Sequence, residues 1–207
     1  MALLDLEALR RTPLVTSPFS YVVVPGFVPR EAAQAIRQDF PEIPYAGLLP
    51  LEATSPGPGF NALVKELTGP ALTACFAEKF GLDLTGRPIM VTLRGRTQAR
   101  DGRIHTDSEA KLITALIYFN EGWESQGGRL RLLRGPDDIN DMVAEVPPEL
   151  GTLIAFRRSG NSYHGHEPHI GVRRSVMVNW MNSGLAAQRE LMRHRLSAQA
   201  KRILQYD

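Results

Sequence analysis

The spacing of apolar residues differs between the first third of this chain and the rest. In residues 61–80 apolar side chains recur at helical spacing, which predicts helices with a break at Gly69-Pro70. The segment REAAQAIRQDF predicts another helix, because Pro29 precedes it and its apolar residues fall on one face. Before it, the β-branched run FSYVVVPGFV predicts a strand that ends near Pro25-Gly26. Residues 41–61 are rich in proline and glycine and predict a long loop.

Beyond residue 86, short β-branched runs alternate with turn residues. The predicted strands are RPIMVTLRGR, the run through RIHTD, KLITALIYFN, GRLRLL, GTLIAF and RRSVMVNW. Many short strands separated by turns predict a β-sandwich or barrel, and we expect the helical first third to pack on its outside.

The tail AAQRELMRHRLSAQAKRIL predicts a basic amphipathic helix whose apolar residues include Leu191, Leu196 and Leu204. We expect it to dock on its own domain or on a sister subunit, so a homodimer is one expectation. A length of 207 residues predicts a single domain over residues 1–207. Within it we expect a helix and strand region at 1–86, a strand-rich core at 87–183 and the tail helix at 184–207.

Composition narrows the functional classes. The chain has 24 basic and 22 acidic side chains and a net charge of +2, which gives no reason to expect nucleic-acid or membrane-surface binding. A single cysteine, Cys75, excludes an intramolecular disulfide and a cysteine-cluster metal site. No apolar run is long enough to span a membrane, and MALLDLEALRR does not resemble a signal peptide. We therefore expect a cytoplasmic location.

His105 and Asp107 form the first candidate pair for metal chemistry. If they lie on a strand, their side chains project to the same face, with Cα atoms ~6.6 Å apart at ~3.3 Å rise per residue. An imidazole and a carboxylate are two of the three ligands of a two-His-one-carboxylate iron site. The pair alone is weak support, because a His-x-Asp pair at a strand end is often structural.

The segment NSYHGHEPHIGVRRSV offers the third ligand. It contains His164, His166 and His169, far enough along the chain for intervening strands to return it to the first pair. Alternatively, these three histidines form a local zinc site with Glu167. That alternative is weaker, because structural zinc usually takes four ligands and this loop supplies few others.

Arg173 and Arg174 follow on a predicted strand. Only one of them can point inward, because side chains alternate between the two faces of a strand. A buried, unpaired cation is costly, so an inward arginine needs a carboxylate partner. The partner is either an acidic side chain of the protein or a bound acid.

The order His-x-Asp, distal His and then Arg nine or ten residues later resembles the 2-oxoglutarate and iron(II)-dependent dioxygenases. The stretch HTDSEAKLITALIYFNEGWESQGGRLRLL is similar to the prolyl-hydroxylase-like branch, in which a T-x-I-x-Y-x-N strand precedes a Gly-Gly turn. The similarity covers roughly residues 88–182 and, more loosely, the chain from residue 17. It implies an α+β, mainly β fold, a double-stranded β-helix (jelly-roll) with N-terminal helices outside and a C-terminal helix.

The resemblance also implies an activity. It implies a hydroxylase-type oxygenase that uses Fe(II), O2 and 2-oxoglutarate and releases succinate and CO2. His105, Asp107 and His164 would be the iron ligands, since Pro168 follows His164 at the family's spacing of four. His166 is the main competitor for the distal position, and His169 would be a loop residue.

The cosubstrate's far carboxylate would be held by an arginine and a tyrosine. Arg173 is favoured because it stands in a Gly-x-Arg-x-Ser frame ending at Ser175. Arg174 instead has the six-residue spacing to Trp180 that many relatives show. Tyr118 matches the family's tyrosine that donates a hydroxyl to the same carboxylate, and its neighbours on that face would line the pocket.

The prime substrate stays open. We expect the loops at 44–60, 96–103 and 134–148 to read a small-molecule or peptidyl substrate. The arginines just before the first ligand pair either attract an acidic substrate or form a solvated basic edge; they are Arg94, Arg96, Arg100 and Arg103. There are two alternatives to an oxygenase. One is a cupin-like metal-binding barrel without redox activity, and the other is a structural or interaction module that has inherited the site residues.

Overall fold

A six-stranded antiparallel sheet lies at the centre of the fold, and a three-stranded sheet faces one side of it. The computed structural model describes residues 2–203, and at 194, 195 and 197–203 it describes the backbone alone. The strands are β1 (Tyr21–Val24), β2 (Leu49–Pro50), β3 (Ile89–Thr97), β4 (Lys111–Tyr118), β5 (Leu130–Leu133), β6 (Met142–Val146), β7 (Leu153–Arg157), β8 (His164–Gly165) and β9 (Gly171–Met181). The larger sheet has the order β1-β7-β4-β9-β3-β2, and the smaller one β6-β5-β8. The prediction of a mainly β, double-stranded β-helix fold is confirmed.

Each central strand divides its side chains between two environments. On β9, Val176, Val178 and Trp180 pack in the core shared with the helices, whereas Arg173 and Ser175 line a cavity between the sheets. This alternation follows from the two-residue period of a strand. We call the helix-covered side of the large sheet its outer face and the side toward the small sheet its inner face.

Helices from the first 80 residues cover the outer face. They are α1 (Leu6–Arg11), α2 (Arg30–Gln38), α3 (Pro58–Leu67) and α4 (Pro70–Phe80). Helices α3 and α4 each begin with proline, whose fixed φ suits a first helical turn, and α4 ends at the left-handed Gly81. Phe76 of α4 meets Trp180 edge-on at a ring separation of 5.0 Å, and the Trp180 indole donates to Thr73 Oγ1 at 3.2 Å.

Two segments differ from the sequence-based expectation of loops. Residues 41–61 contain β2, a 3₁₀ turn at Leu51–Ala53 and the start of α3 at Pro58. The predicted loop at 134–148 contains β6, an edge strand in which only Val146 is buried. Because its other side chains are partly or fully exposed, the strand carries no apolar alternation that a sequence pattern could reveal.

The run through RIHTD is not a strand, which corrects a third expectation. His105 instead forms a single antiparallel bridge with His164. The residues on both sides of His105 lie in turns and irregular backbone. One of them, Gly102, has a positive φ of 92°, which a regular strand does not adopt.

The tail helix α5 (Gly184–Ile203) contacts β2, β3 and β9 of its own chain. Its Ala187 packs with Met90 and Met181 at one end of the inner face. Leu204, which the sequence analysis placed on this helix, lies outside the described residues. The division of residues 1–207 as a single domain and the homodimer both stay predictions. Among residues 2–203, no helix is long and apolar enough to cross a bilayer.

Candidate active site

Three potential metal ligands converge between the two sheets. His105, Asp107 and His164 each offer one ligand atom, and these atoms all lie within 4.8 Å of one another. The backbone produces this convergence, because His105 and His164 exchange two N–H···O bonds of 3.0 Å across their bridge. The 56 residues between Asp107 and His164 contain β4 to β7, so these strands return the chain to its first ligand pair.

Both histidines are oriented with one ring nitrogen free for a metal. The Nδ1 of His105 lies 2.8 Å from the Arg103 carbonyl, and that of His164 lies 3.0 Å from the Ser162 carbonyl. A carbonyl only accepts, so each Nδ1 carries the proton and each Nε2 presents its lone pair. Burial lowers the pKa of His164 to about 4, which keeps this imidazole neutral near pH 7.

Asp107 is buried and held by donors at both carboxylate oxygens. Lys111 Nζ lies 2.8 Å from Oδ1, and the Thr114 hydroxyl donates to Oδ2. Asn179 in turn donates to Thr114 Oγ1 at 2.8 Å, so the hydroxyl has its donor role fixed. Burial alone would raise the pKa of Asp107. The adjacent Lys111 ammonium and the other donors outweigh burial and hold the pKa well below its usual range.

These residues fit a divalent iron. Two imidazoles with free Nε2 atoms and one ionised carboxylate are the donor set of a two-His-one-carboxylate centre, which leaves further coordination positions open. Each of the three ligands forms hydrogen bonds with neighbouring protein groups, and such bonds orient ligands at metal sites.

Arg173 lies in the same cavity, which has a volume of about 450 Å³. Its side chain is buried; Nε donates to the Gly128 carbonyl at 2.8 Å, and one terminal nitrogen is 3.5 Å from the Tyr118 hydroxyl. The buried hydroxyl of Ser175 follows on the same face. Within residues 2–203, no acidic side chain forms an ion pair with Arg173. This cation is therefore available to an anion that enters the cavity.

Arg174 lies on the opposite face of β9 and does not line the cavity. Its backbone N–H donates to Asn120 Oδ1 at 2.7 Å, and its guanidinium is partly buried near Arg37. Burial, and secondarily Arg37, lower the pKa of Arg174. The structure thus places Arg173 with the three potential metal ligands, and Arg174 apart from them.

The other two histidines of the loop are engaged elsewhere. His166 borders the cavity and its Nδ1 lies 2.8 Å from the Glu167 carbonyl, but it offers no atom to the group formed by His105, Asp107 and His164. His169 Nδ1 lies 2.9 Å from Thr97 Oγ1, and its ring packs on Trp123 at 4.6 Å. In the described part of the chain, the only grouped ligand set is that of His105, Asp107 and His164, so the local zinc alternative has no geometric support.

Two cavity residues had no assigned role from the sequence. The sequence indicates Lys111 only as the start of a strand, although a lysine at the start of an apolar strand carries a charge that must be compensated. Of the four arginines that precede the first ligand pair, Arg94 is the one that lines the cavity, and it pairs with Asp101 at 2.9 Å. Its inward direction depends on the register of β3 against Ser175 of β9, which the sequence does not reveal.

Comparison with known protein families finds a match for the strand-rich part of the chain. Residues 96–182 match the family model described as 2OG-Fe(II) oxygenase superfamily, and this match contains all three potential metal ligands. Over these residues the chain is similar to the 2OG-Fe(II) oxygenase superfamily. Among curated protein sequences, none matches it. The resemblance inferred from the His-x-Asp…His…Arg order is thereby confirmed.

Solved structures share the fold of this oxygenase. A prolyl-4-hydroxylase from Pseudomonas putida superposes with a TM-score of 0.58 and 18% identity, covering 86% of this chain and 97% of that one. A prolyl 4-hydroxylase from Phytophthora capsici gives a TM-score of 0.59 and 17% identity, covering 90% and 68%. HygX from Streptomyces hygroscopicus, solved with nickel and 2-oxoglutarate bound, gives 0.53 and 15%, covering 79% and 83%.

The family match of residues 96–182 indicates Fe(II) as the metal and 2-oxoglutarate as the cosubstrate of this oxygenase. Among the described residues, the grouped ligand set fits the metal and the unpaired Arg173 fits a diacid. Both lie on one cavity, so the oxygenase has a place for each.

Proposed function

We propose that this oxygenase hydroxylates a small-molecule or peptidyl substrate while it decarboxylates 2-oxoglutarate to succinate and CO2 with O2. His105, Asp107 and His164 hold the iron, and Arg173 anchors the far carboxylate of the cosubstrate. One observation carries the proposal: among the described residues, the buried Arg173 has no acidic partner, and it shares a cavity with a two-His-one-carboxylate set.

One set of residues binds the metal and another binds the far carboxylate of the cosubstrate. The two Nε2 atoms and the Asp107 carboxylate bind the metal, which supplies the redox chemistry that activates dioxygen when it is bound. Arg173 offers charge-assisted hydrogen bonds, and the hydroxyls of Tyr118 and Ser175 complete a carboxylate site beside it. Because Arg173 is buried, its attraction for an anion is less weakened by solvent than that of an exposed arginine.

The prime substrate binds in the same cavity. Leu48, Glu109, Arg158 and Arg193 also line it, so apolar and charged groups both face an incoming molecule. Hydroxylation of a small molecule or of a peptidyl residue both fit this proposal. A cytoplasmic location stays a prediction.

A metal-binding barrel without oxygenase activity is the competing function. Such a protein has no need for an unpaired arginine next to its metal, because burying that cation costs free energy. The position of Arg173 therefore favours the oxygenase.

The test uses thermal unfolding of metal-stripped protein with Mn²⁺, with 2-oxoglutarate, and with both. A ligand at ~100 times its Kd adds about 2.7 kcal/mol of stability. We expect 2-oxoglutarate to stabilise the protein only when Mn²⁺ is present. Pyruvate is the matched control, since it keeps the 2-oxo acid group but lacks the far carboxylate, and it should stabilise much less.

If 2-oxoglutarate adds nothing at any concentration while Mn²⁺ alone stabilises, the metal-binding barrel replaces the oxygenase. If 2-oxoglutarate and pyruvate act equally, Arg173 does not anchor the cosubstrate. With the expected result, release of succinate becomes the assay for candidate substrates.

A further inference from the structure

Lys111 brings a positive charge directly to the metal site. Its Nζ lies 2.8 Å from Asp107 Oδ1, and the side chain is buried and lines the cavity. In the described part of the chain, its other polar contact is Met177 Sδ at 3.8 Å, which is a weak acceptor. The ammonium therefore depends on the Asp107 carboxylate for its compensation.

This contact makes Lys111 a competitor of the metal. Without metal, the ammonium neutralises a carboxylate that is otherwise costly to bury. A divalent cation at Asp107 takes over that role and lies close to the ammonium, where like charges repel strongly because the site is shielded from solvent and salt. Metal binding therefore loses part of its free energy to Lys111.

An anionic cosubstrate changes this balance. A dianion whose far carboxylate is held by Arg173 brings its other carboxylate close to both Lys111 and the metal, so this negative charge offsets the repulsion between them. A residue that weakens binding of the metal alone, but does not weaken binding of the metal when the anion is present, increases the coupling between the two ligands. By linkage, the same factor raises the affinity for the anion once metal is bound.

We propose that Lys111 is a positioning residue that makes metal binding depend on 2-oxoglutarate, by opposing a divalent cation at Asp107 until the dianion is present. The proposal rests on the proposed function of this site. It assigns Lys111 a role in the order and strength of ligand binding and none in contact with the reacting atoms.

The experiment measures the Kd of Mn²⁺ by electron paramagnetic resonance, with and without saturating 2-oxoglutarate. The ratio of the two constants is the coupling factor. Lys111→Gln keeps a hydrogen-bond donor toward Asp107 but removes the charge, and we expect it to lower the coupling factor at least tenfold, mainly through tighter binding of Mn²⁺ alone. Lys111→Arg keeps the charge and should retain most of the coupling.

Thr114→Val is the matched control. It removes the hydrogen bond to the other oxygen of Asp107 without changing the charge of the site. We expect it to weaken Mn²⁺ binding equally with and without 2-oxoglutarate, so that the coupling factor stays the same. Lys111→Met is a second neutral variant, for which the same loss of coupling is expected if Lys111→Gln does not fold.

The outcomes separate this inference from the proposed function. If the wild-type protein binds Mn²⁺ and 2-oxoglutarate leaves that Kd unchanged, the proposed function fails. If the wild-type protein shows coupling and the neutral variants keep it, Lys111 only holds Asp107 in place and the inference is overturned. A loss of coupling in Thr114→Val equal to that in Lys111→Gln overturns it as well.

Discussion

Arg173 and Arg174 are neighbours in the chain, yet their guanidinium groups lie on opposite faces of β9. The alternation of a strand separates them, because one joins the cavity with the metal ligands and the other lies near Arg37 on the outer face. A difference of one position thus determines which arginine an anion in the cavity can reach.

Substituting each arginine in turn tests this difference. Arg173→Gln removes charge-assisted hydrogen bonds of about 1.5–3 kcal/mol, so we expect the Kd of 2-oxoglutarate for the Mn²⁺-loaded protein to rise ~10–100-fold. Arg174→Gln is the matched control and should change it less than ~3-fold. Isothermal titration calorimetry measures both. Equal effects of the two substitutions would contradict the assignment.

Two buried histidines predict how stability depends on pH. Burial lowers the pKa of both His164 and His166 from 6.5 to about 4 in the folded protein. Between pH 6.5 and 4 the unfolded chain therefore binds more protons than the folded one, and the free energy of unfolding falls as the pH falls. Each histidine contributes up to about 1.4 kcal/mol per pH unit in this window and nothing above it.

Urea unfolding of the metal-free protein at pH 7.5, 6 and 5 measures this dependence. His166→Gln leaves one of the two histidines and should reduce the acid-induced loss of stability between pH 6 and 5. A free energy of unfolding that is flat from pH 7.5 to 5 would show that these imidazoles are not held neutral by the fold.

The turn before the His105 bridge is the element that fixes the first ligand pair. Gly102 has φ of 92°, its carbonyl accepts from the His166 N–H at 2.9 Å, and a Cβ there would lie 2.3 Å from His166 Nδ1. The close approach of these two segments requires a residue without a side chain.

Gly102→Ala should therefore destabilise the protein far more than a positive φ alone explains. Gly86→Ala is the control, since Gly86 also has a positive φ, of 64°, but open space around its Cβ position. We expect each to cost ~1–2 kcal/mol for its backbone and Gly102→Ala a further ~1–3 kcal/mol for overpacking. Chemical denaturation measures both, and equal losses would mean that His166 moves aside freely.

Among the secondary-structure elements, the sequence predicts those whose apolar residues follow a regular spacing and misses those without such a spacing. β4 and β9 were predicted because buried apolar residues run through them, and α3 and α4 because of helical spacing and a Gly-Pro break. β6 is an exposed edge strand and carries no such pattern. The His105 bridge is a tertiary contact between distant segments, so the local sequence suggested a strand in its place.

In the whole molecule, the outer face of the large sheet packs against the helices and contributes stability, whereas its inner face lines the cavity of the candidate active site. Ile117 of β4 packs among the helices on the outer face, whereas its neighbour Leu116 lines the cavity on the inner face. The family resemblance predicted the candidate ligands and the fold together. It could not predict Lys111, whose contact with Asp107 depends on the path of the chain between them.

Substituting Ile117 and Leu116 in turn by alanine tests whether the two faces of the sheet have these separate roles. Ile117→Ala should lower the free energy of unfolding by about 2–5 kcal/mol and leave the Kd values of Mn²⁺ and 2-oxoglutarate unchanged. Leu116→Ala should change the Kd of 2-oxoglutarate at least ~3-fold. Denaturation curves and calorimetric titrations on both variants decide it. Altered binding in Ile117→Ala would show that the two faces are not independent.

The two-faced strands also constrain how the length of this chain can change. Deleting one residue of β9 before Arg173 would turn Arg174 inward and Arg173 outward, and would exchange the inward and outward positions of the side chains that follow. Loops such as 134–141 carry no such alternation and tolerate added residues at a small entropic cost. Insertions and deletions among related chains should therefore accumulate in the loops around the cavity, while the central strands keep their length and diverge by substitution alone.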